Sequence, residues 1–350
     1  ARLPQEPPDG GCVLVVDEAH FAQNSQAKRT QALLRLARHP RMRAVWLLTG
    51  TPLKNGRPVQ LLPLLMAIGH PLARDRQAYE TLFCNGHWRQ SGPRMVWDCQ
   101  GASRLDELQR LLRPQLLHRR KRDCLDLPPK LRRFHAVVLK PEAQHQFDRA
   151  LQQRLEAYRK RAAAGLVRSD AERLALLTAL RQLGSFHKLV ALQQLLDQLQ
   201  GSGDPVVVFS GFRGPLLQLH RLRGGELLTG LVDPSERLQR LQRFQRGDSN
   251  LLLATYGVAG LGLGLQRASQ VILLERPWTP GDAEQAEDRC HRFGTRRTVE
   301  CHWLQLGGAD ALVDGLILSK SERIEVVLGR QRRQLRRQGL ARMLDELLQS

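Results

Sequence analysis

The sequence predicts an α/β protein built on two parallel sheets with helical insertions, and three observations carry that prediction. Residues 12–48 read as strand, helix, strand. Four short apolar runs between 206 and 306 are separated by helical patterns. The stretches between these regions are rich in helix formers. With 350 residues, 42% of them hydrophobic, the chain is long enough for two ordinary cores. Lys and Arg outnumber Asp and Glu by 54 to 34, a net charge of +20 that favours a polyanionic partner, with nucleic acid the leading class.

Taken in order, CVLVV (12–16) is a continuous apolar run, the pattern of a parallel strand buried on both faces, and it runs directly into Asp17 and Glu18. QAKRTQALLRLARH (26–39) spaces its leucines as a helix does. AVWLL (44–48) is the next strand and ends at Thr49, Gly50 and Thr51. From 57 to 117 the signal is helical and irregular, a loop-rich insertion. HRRKRDCLDLPPK (118–130) is a basic run whose paired prolines forbid a continuing helix, so 118–139 reads as a connector. Residues 142–200 are almost entirely helix-forming, and Leu189, Leu192, Leu196 and Leu199 form one stripe of a packed helical subdomain over 140–199. VVVFSGF (206–212), NLLLATYG (250–257), VILLE (271–275) and VECHWLQL (299–306) then predict a second parallel sheet within 200–316. A basic helix is expected over 317–350, where Arg330, Arg332, Arg333, Arg336, Arg337 and Arg342 read as a solvated face as readily as a binding one.

Six cysteines occur without a CxxC pair, and Cys84-x-x-His87 lacks a partner pair at finger-like spacing, so they read as ordinary thiols rather than zinc ligands. No stretch approaches 18 uncharged apolar residues, and the opening ARLPQEPPDGG has the pattern of neither a signal nor a transit peptide. A cytoplasmic or nucleoid location is expected, with no membrane partner. Nothing fixes an oligomeric state, and a monomer is the expectation.

Two adjacent carboxylates at the end of a parallel strand suit magnesium and water chemistry. Asp17 can hold the Mg²⁺ of a nucleoside triphosphate through its waters, and Glu18 can accept a proton from the attacking water. The competing reading is a helix N-terminus, where acids are favoured electrostatically. Order along the chain argues against it. LLTGTPLKN follows at 47–55, ATYGVAGLGLGL at 254–265 and QAEDRCHRFGT at 285–295. Gly260, Gly262 and Gly264 allow close backbone approach to a phosphate. Arg289 and Arg292, three apart, are expected on one helix face, where their forks can neutralise charge on a transferring phosphoryl group.

With VVDEAH, LLTGTPLKN, HRRKRDCLDLPPK, VVVFSGF, GLGLGL and VILLERPWTPGDAEQAEDRCHRFGT in hand, the chain resembles the Swi/Snf-related DNA-dependent ATPases of helicase superfamily 2, of the bacterial stand-alone type. The resemblance implies two RecA-like lobes, the first (1–56) incomplete, and a motor that couples ATP hydrolysis to movement on duplex DNA. It implies Asp17 and Glu18 as the Mg·ATP pair, Thr49, Gly50 and Thr51 as coupling residues, and Gly260, Gly262 and Gln285 as nucleotide-side residues. Arg289 and Arg292 become arginine fingers, and nucleic acid is expected at Arg119, Arg120, Lys121, Thr255 and Trp278. Thr279 and Thr295 depart from the family's usual Asn and Gln. A P-loop needs Gly-Lys-[Ser/Thr], and no Gly precedes Lys anywhere in these residues. The first lobe is therefore expected to be truncated and the chain alone inactive on ATP. An RNA helicase is disfavoured by Leu48-Thr49-Gly50-Thr51 in place of Ser-Ala-Thr. The alternative from another class is a non-catalytic nucleic-acid-binding pseudo-ATPase or scaffold.

Overall fold

The computed structural model describes residues 6–53, 55–91, 93–119, 121–165, 170–201, 203–259, 264–307 and 309–328. The tail arginines named above lie outside them. The chain divides into two compact units, Ala1–His118 with Thr279–Gly281 and Leu318–Arg337, and Arg119–Trp278 with Asp282–Ile317 and Gln338–Ser350.

The first unit opens with β1 (Cys12–Val16), α1 (Lys28–Ala37) and β2 (Met42–Leu47), with β1 and β2 paired in parallel. This is the strand–helix–strand unit that the hydrophobic pattern predicts. One expectation fails here. Leu14, Val16 and Leu47 pack against Ala19, Leu33 and Leu64, but Val13, Val15 and Trp46 are 53%, 52% and 62% exposed. Alternate residues of a strand point to opposite faces, and helices cover only one face of this two-stranded sheet, so β1 is not buried on both sides.

The insertion carries α2 (Leu62–Ala67), α3 (Arg76–Phe83), an antiparallel hairpin of β3 (His87–Ser91) and β4 (Arg94–Asp98), and α4 (Leu105–Leu112). The hairpin is absent from the helical reading of 57–117. Its strands are rich in Trp and Arg rather than in an apolar alternation, and burial does not hold it in place. It is held by Trp88 meeting Trp97 edge-on at 5.5 Å, and by the Trp97 indole donating to buried Glu80 at 2.7 Å. Leu53, Leu61, Tyr79, Phe83, Leu108, Leu112 and Val327 make the core of this unit.

The second unit starts at α5 (Lys121–Cys124) and β5 (Lys130–Ala136), then α6 (Pro141–Ala163), α7 (Asp170–His187) and α8 (Leu189–Gln200). There follow β6 (Val206–Ser210), α9 (Arg213–Arg223), β7 (Glu226–Leu228), α10 (Pro234–Arg246), β8 (Leu251–Thr255), α11 (Tyr256–Ala259), β9 (Gln270–Leu273), α12 (Pro280–Asp288), β10 (Val299–Gln305) and α13 (Ala309–Val327), of which Pro280, Gly281 and the residues of α13 from Leu318 onward count with the first unit. The strands form one six-stranded parallel sheet in the order β5-β10-β9-β6-β8-β7. The four predicted runs are all in it. β5 is a fifth member inside the segment read as a connector, paired along its whole length with β10. Its sequence KLRRFHA hides the strand because β5 is an edge whose outer residues meet solvent.

Phe244, Ala283, Ala286 and Cys290 close one face of this sheet, and Leu189, Leu192, Leu196, Leu216 and Leu219 close the other. The leucine stripe of 189–199 therefore covers the sheet. The residues that form a helical cluster of their own are Leu155, Leu176, Leu177 and Leu180, on α6 and α7. All six cysteines are free. No described helix is long and apolar enough to cross a membrane.

Candidate functional site

In the first unit, the end of β1 delivers Asp17 and Glu18 to the C-terminal edge of the sheet, where open α/β folds place ligands. The Asp17 side chain is exposed, and its Oδ1 accepts from the Glu18 amide at 2.8 Å. Glu18 adopts φ 50°, ψ 45°, a left-handed conformation unusual for a side-chain-bearing residue. Such backbone strain costs about 1 kcal/mol and concentrates where a side chain must be aimed.

That kink swings the chain into a 3-10 turn over Ala19–Ala22, whose His20 is buried. His20 Nδ1 lies 3.1 Å from Glu18 Oε2 and 3.3 Å from Thr49 Oγ1, and the Thr51 amide donates to Thr49 Oγ1 at 3.1 Å. The main chain runs the same way. Leu48 N–H donates to Val16 O at 2.8 Å, and Ala19 N–H donates to Leu48 O at 2.9 Å. Main-chain bonds and His20 thus join the end of β1 to the Thr49–Thr51 segment, while Glu18 Oε2 is buried without a hydrogen-bond partner among the described residues. Gly50, between the two threonines, is exposed. Among the described residues, the Thr51 hydroxyl is buried without a partner.

In the second unit, α12 carries Gln285, Glu287 and Asp288, but the helix ends at Asp288. Arg289 and Arg292 therefore do not share a helix face. Arg289 N–H reaches back to Ala286 O at 3.3 Å and Cys290 N–H to Glu287 O at 3.1 Å, a tightened final turn after which the chain breaks away. Thr295, buried, then organises the turn. Its Oγ1 donates to Cys290 O at 2.7 Å and accepts from Arg292 N–H at 3.1 Å, while its own N–H meets Arg292 O at 2.9 Å. The departure at Thr295 thus has a local reason, because its short hydroxyl fits the loop that presents Arg292.

The base of this turn is held by the basic segment that the sequence reading gave to nucleic acid. Lys121 Nζ pairs with Asp288 at 2.6 Å and donates to His291 O at 2.9 Å. Lys130 bridges Glu287 and Asp288 at 3.1 and 3.0 Å, and Arg132 grips Glu287 with two nitrogens. The buried Glu287 carboxylate also accepts from the Trp303 indole at 2.9 Å. Burial opposes the charge on Lys130, yet the two carboxylates outweigh it and raise its pKa. Lys121, expected at nucleic acid, braces the arginine turn with its side chain still 40% exposed. Arg119 is exposed, and Arg120, Gly260 and Gly262 lie outside the described residues.

Trp278, also expected at nucleic acid, is half-buried. It packs with the α6–α7 leucine cluster, and the Arg181 guanidinium sits 4.3 Å above its ring. Thr255 stands half-buried at the end of β8. Sequence reasoning also missed an ionic cluster at the C-terminal end of β9. Fully buried Lys188 pairs with Asp310 at 2.6 Å and donates to Leu274 O at 2.7 Å. Arg276 pairs with Asp314, and burial lowers its pKa to about 10. Buried Glu275 accepts from Ser210 Oγ at 2.6 Å and Gly211 N–H at 2.8 Å, with burial pushing its pKa up. The signal was available as a lysine inside the apolar stretch SFHKLVALQQLL.

An SNF2-related domain model matches residues 10–188, and a helicase conserved C-terminal domain model matches 187–294. The chain belongs to the SNF2-related family of helicase-like ATPases. It is 31% identical over 323 residues to the mouse (Mus musculus) DNA annealing helicase and endonuclease ZRANB3, covering 89% of this chain and 29% of that protein. To the SWI/SNF-related matrix-associated actin-dependent regulator of chromatin subfamily A-like protein 1 of Xenopus tropicalis it is 28% identical over 304 residues, 85% of this chain and 31% of that protein. The chain therefore spans less than a third of the length of these relatives. Among solved structures, the Sulfolobus solfataricus SWI2/SNF2 ATPase core in complex with dsDNA is similar at 22% identity and a TM-score of 0.44, covering 86% of this chain and 65% of that one.

Proposed function

We propose that this chain is part of a DNA-dependent ATPase motor that moves on duplex DNA. The observation carrying the reading is that the ends of β1 and β2 are joined by main-chain hydrogen bonds, with His20 3.1 Å from Glu18 Oε2 and 3.3 Å from Thr49 Oγ1, so that an acidic pair suited to Mg·ATP lies beside a segment suited to passing nucleotide state onward. Asp17 holds the Mg²⁺ of ATP, Glu18 takes the proton of the attacking water, and Arg289 and Arg292 neutralise charge on the transferring phosphoryl group. Gln285, Gly260 and Gly262 serve the nucleotide, and Thr255 and Arg119 the DNA. Among the described residues, the Arg292 guanidinium makes no ion pair, so it is available for such a role.

These 350 residues contain no Gly-Lys-[Ser/Thr] to cradle the phosphates, so the chain by itself does not turn over ATP. That same feature is what favours the second reading, a nucleic-acid-binding pseudo-ATPase. Binding and turnover measured on the purified chain separate the possibilities. Duplex affinity should fall about 100-fold between ~50 and ~200 mM salt if some four phosphates are contacted. A salt-independent affinity would remove DNA from the reading. ATP turnover stimulated by DNA and abolished by Glu18→Gln would overturn the inactivity and the pseudo-ATPase together.

A further inference from the structure

The β3–β4 hairpin of the first unit joins a firmly built foot to an exposed aromatic surface. It is a two-stranded sheet by itself, and on it Trp88 is 61% and Met95 59% exposed. A lone ribbon of this length is marginal in water, so its stability comes from the foot. There the Gly86 amide donates to Glu80 O at 2.9 Å, the Asn85 amide to Ser103 Oγ at 3.1 Å, and Ser103 Oγ to Leu82 O at 2.7 Å. Position 86 has no space for a side chain, because a Cβ there would come within 2.6 Å of the Trp97 ring and 2.8 Å of Glu80 O. Trp97, anchored through Glu80, backs Trp88 edge-on. The indole of Trp88 is therefore supported by the fold while most of its surface stays in water.

The two faces of the ribbon differ. Directly opposed residues share a face, so Trp88, Gln90, Met95 and Trp97 lie on one side and Arg89, Arg94 and Val96 on the other. From Cys84 to Gln100 the sequence holds two guanidinium groups and a single carboxylate, Asp98, with which Arg89 pairs at 3.1 Å. The exposed Arg94 guanidinium makes no ion pair among the described residues. Arg57 adds a cation at the foot, where it donates to the neutral Gln100 side chain at 2.7 Å. An aromatic and thioether surface is thus backed by cations, and the one acid of the ribbon is already engaged.

This combination fits a polyanion whose ring faces are accessible. A nucleic acid brings phosphates to the cations, and an unpaired base brings a π-face to the indole. In a duplex those faces are stacked on one another, so they are open only in a single strand. A purely apolar protein surface would cover the indole and leave the cations unanswered. We propose that the β3–β4 hairpin docks single-stranded DNA, with Trp88 stacking on a base, Met95 extending the platform and Arg94 holding the backbone. The site goes beyond the duplex contacts proposed above. Only the choice of DNA over RNA rests on the motor reading.

The test is fluorescence anisotropy of the full 350-residue chain with labelled oligothymidylate, oligouridylate and a blunt DNA duplex. Trp88→Ala is expected to weaken oligothymidylate about ten-fold and the duplex less than about two-fold. Trp88→Phe, which keeps a ring, should retain most of the single-strand affinity. Arg94→Gln should lower the salt slope of single-strand binding by about 0.7. Melting temperatures of Trp88→Phe and Arg94→Gln matching the parent show that the hairpin is intact in both. Equal losses on single strand and duplex, oligothymidylate binding indifferent to Trp88→Ala and Arg94→Gln, or no binding of oligothymidylate by the parent, overturns the proposal. Tighter binding of oligouridylate overturns the assignment to DNA. A parent that binds oligothymidylate but not the duplex overturns the motor reading and supports this site.

Discussion

Two parallel sheets in this chain begin from nearly the same words and end in different environments. CVLVV of β1 and VVVFS of β6 are both unbroken apolar runs, yet β6 is buried at every position whereas β1 alternates between half-buried and exposed. The difference lies in the neighbours. β6 pairs on both sides, with β8 and β9, and helices cover both of its faces. β1 pairs with β2 alone among the described residues, and packs on one face only. An apolar run records the capacity of a strand to be enclosed, and the rest of the fold decides how much of that capacity is used.

The largest expected consequence is in the second sheet. Phe209 is fully buried at the middle of its order. Phe209→Ala removes the ring and leaves a cavity among Val207, Leu228, Leu252 and Leu273, costing about 3–5 kcal/mol. Urea unfolding followed by hydrogen exchange at β6 and β9 checks it. A loss below 1 kcal/mol would mean that the enclosure of this sheet matters less than its burial suggests.

A smaller effect belongs to the β5 edge of the same sheet. His302 is buried, its Nδ1 2.9 Å from His135 Nε2 and its Nε2 2.7 Å from Gln270 Oε1. Burial first, then the neighbouring His135, lowers its pKa to about 4, with Glu300 acting against them and Arg133 with them. The folded state thus resists protonation that the unfolded chain accepts at about 6.5. Stability is fully present above pH 6.5 and declines as pH falls towards 4, by about 3 kcal/mol at most. His302→Asn should flatten the stability profile of the second unit over that window. A slope unchanged by the substitution would place the acid sensitivity elsewhere.

What the sequence made legible followed from period and order. The parallel α/β class, β1, β2 and the four central strands of the second sheet stand where apolar runs of strand length occur, because enclosure demands such runs. Asp17, Glu18, Thr49 and Thr51 were readable as neighbours because consecutive parallel strands bring their ends together. The illegible parts depend on partners distant in sequence. β5 reads as a basic connector because an edge strand needs only one apolar face. Lys121 reads as a nucleic-acid residue and Lys130 as part of a basic connector, whereas the partners they meet, Glu287 and Asp288, stand more than 150 residues away. The end of α12 before Arg289 is set by Thr295, a side chain outside the helix.

The smallest expected effect sharpens the comparison from the other side. Trp46 carries the largest side chain on the open face of β2, with Val13 and Val15 beside it on β1. Truncating a side chain that is already mostly in water removes little burial, so Trp46→Gln should change stability by no more than ~0.5 kcal/mol. The same substitution takes an indole off an apolar surface next to an unpaired strand edge, and such surfaces promote self-association. Two readouts therefore separate intrinsic stability from solubility. Urea unfolding should be nearly superimposable for parent and variant, while light scattering at raised concentration should fall for Trp46→Gln. A stability loss rivalling that of Phe209→Ala would show the open face of the first sheet to be enclosed in solution, and the contrast between the two sheets would disappear.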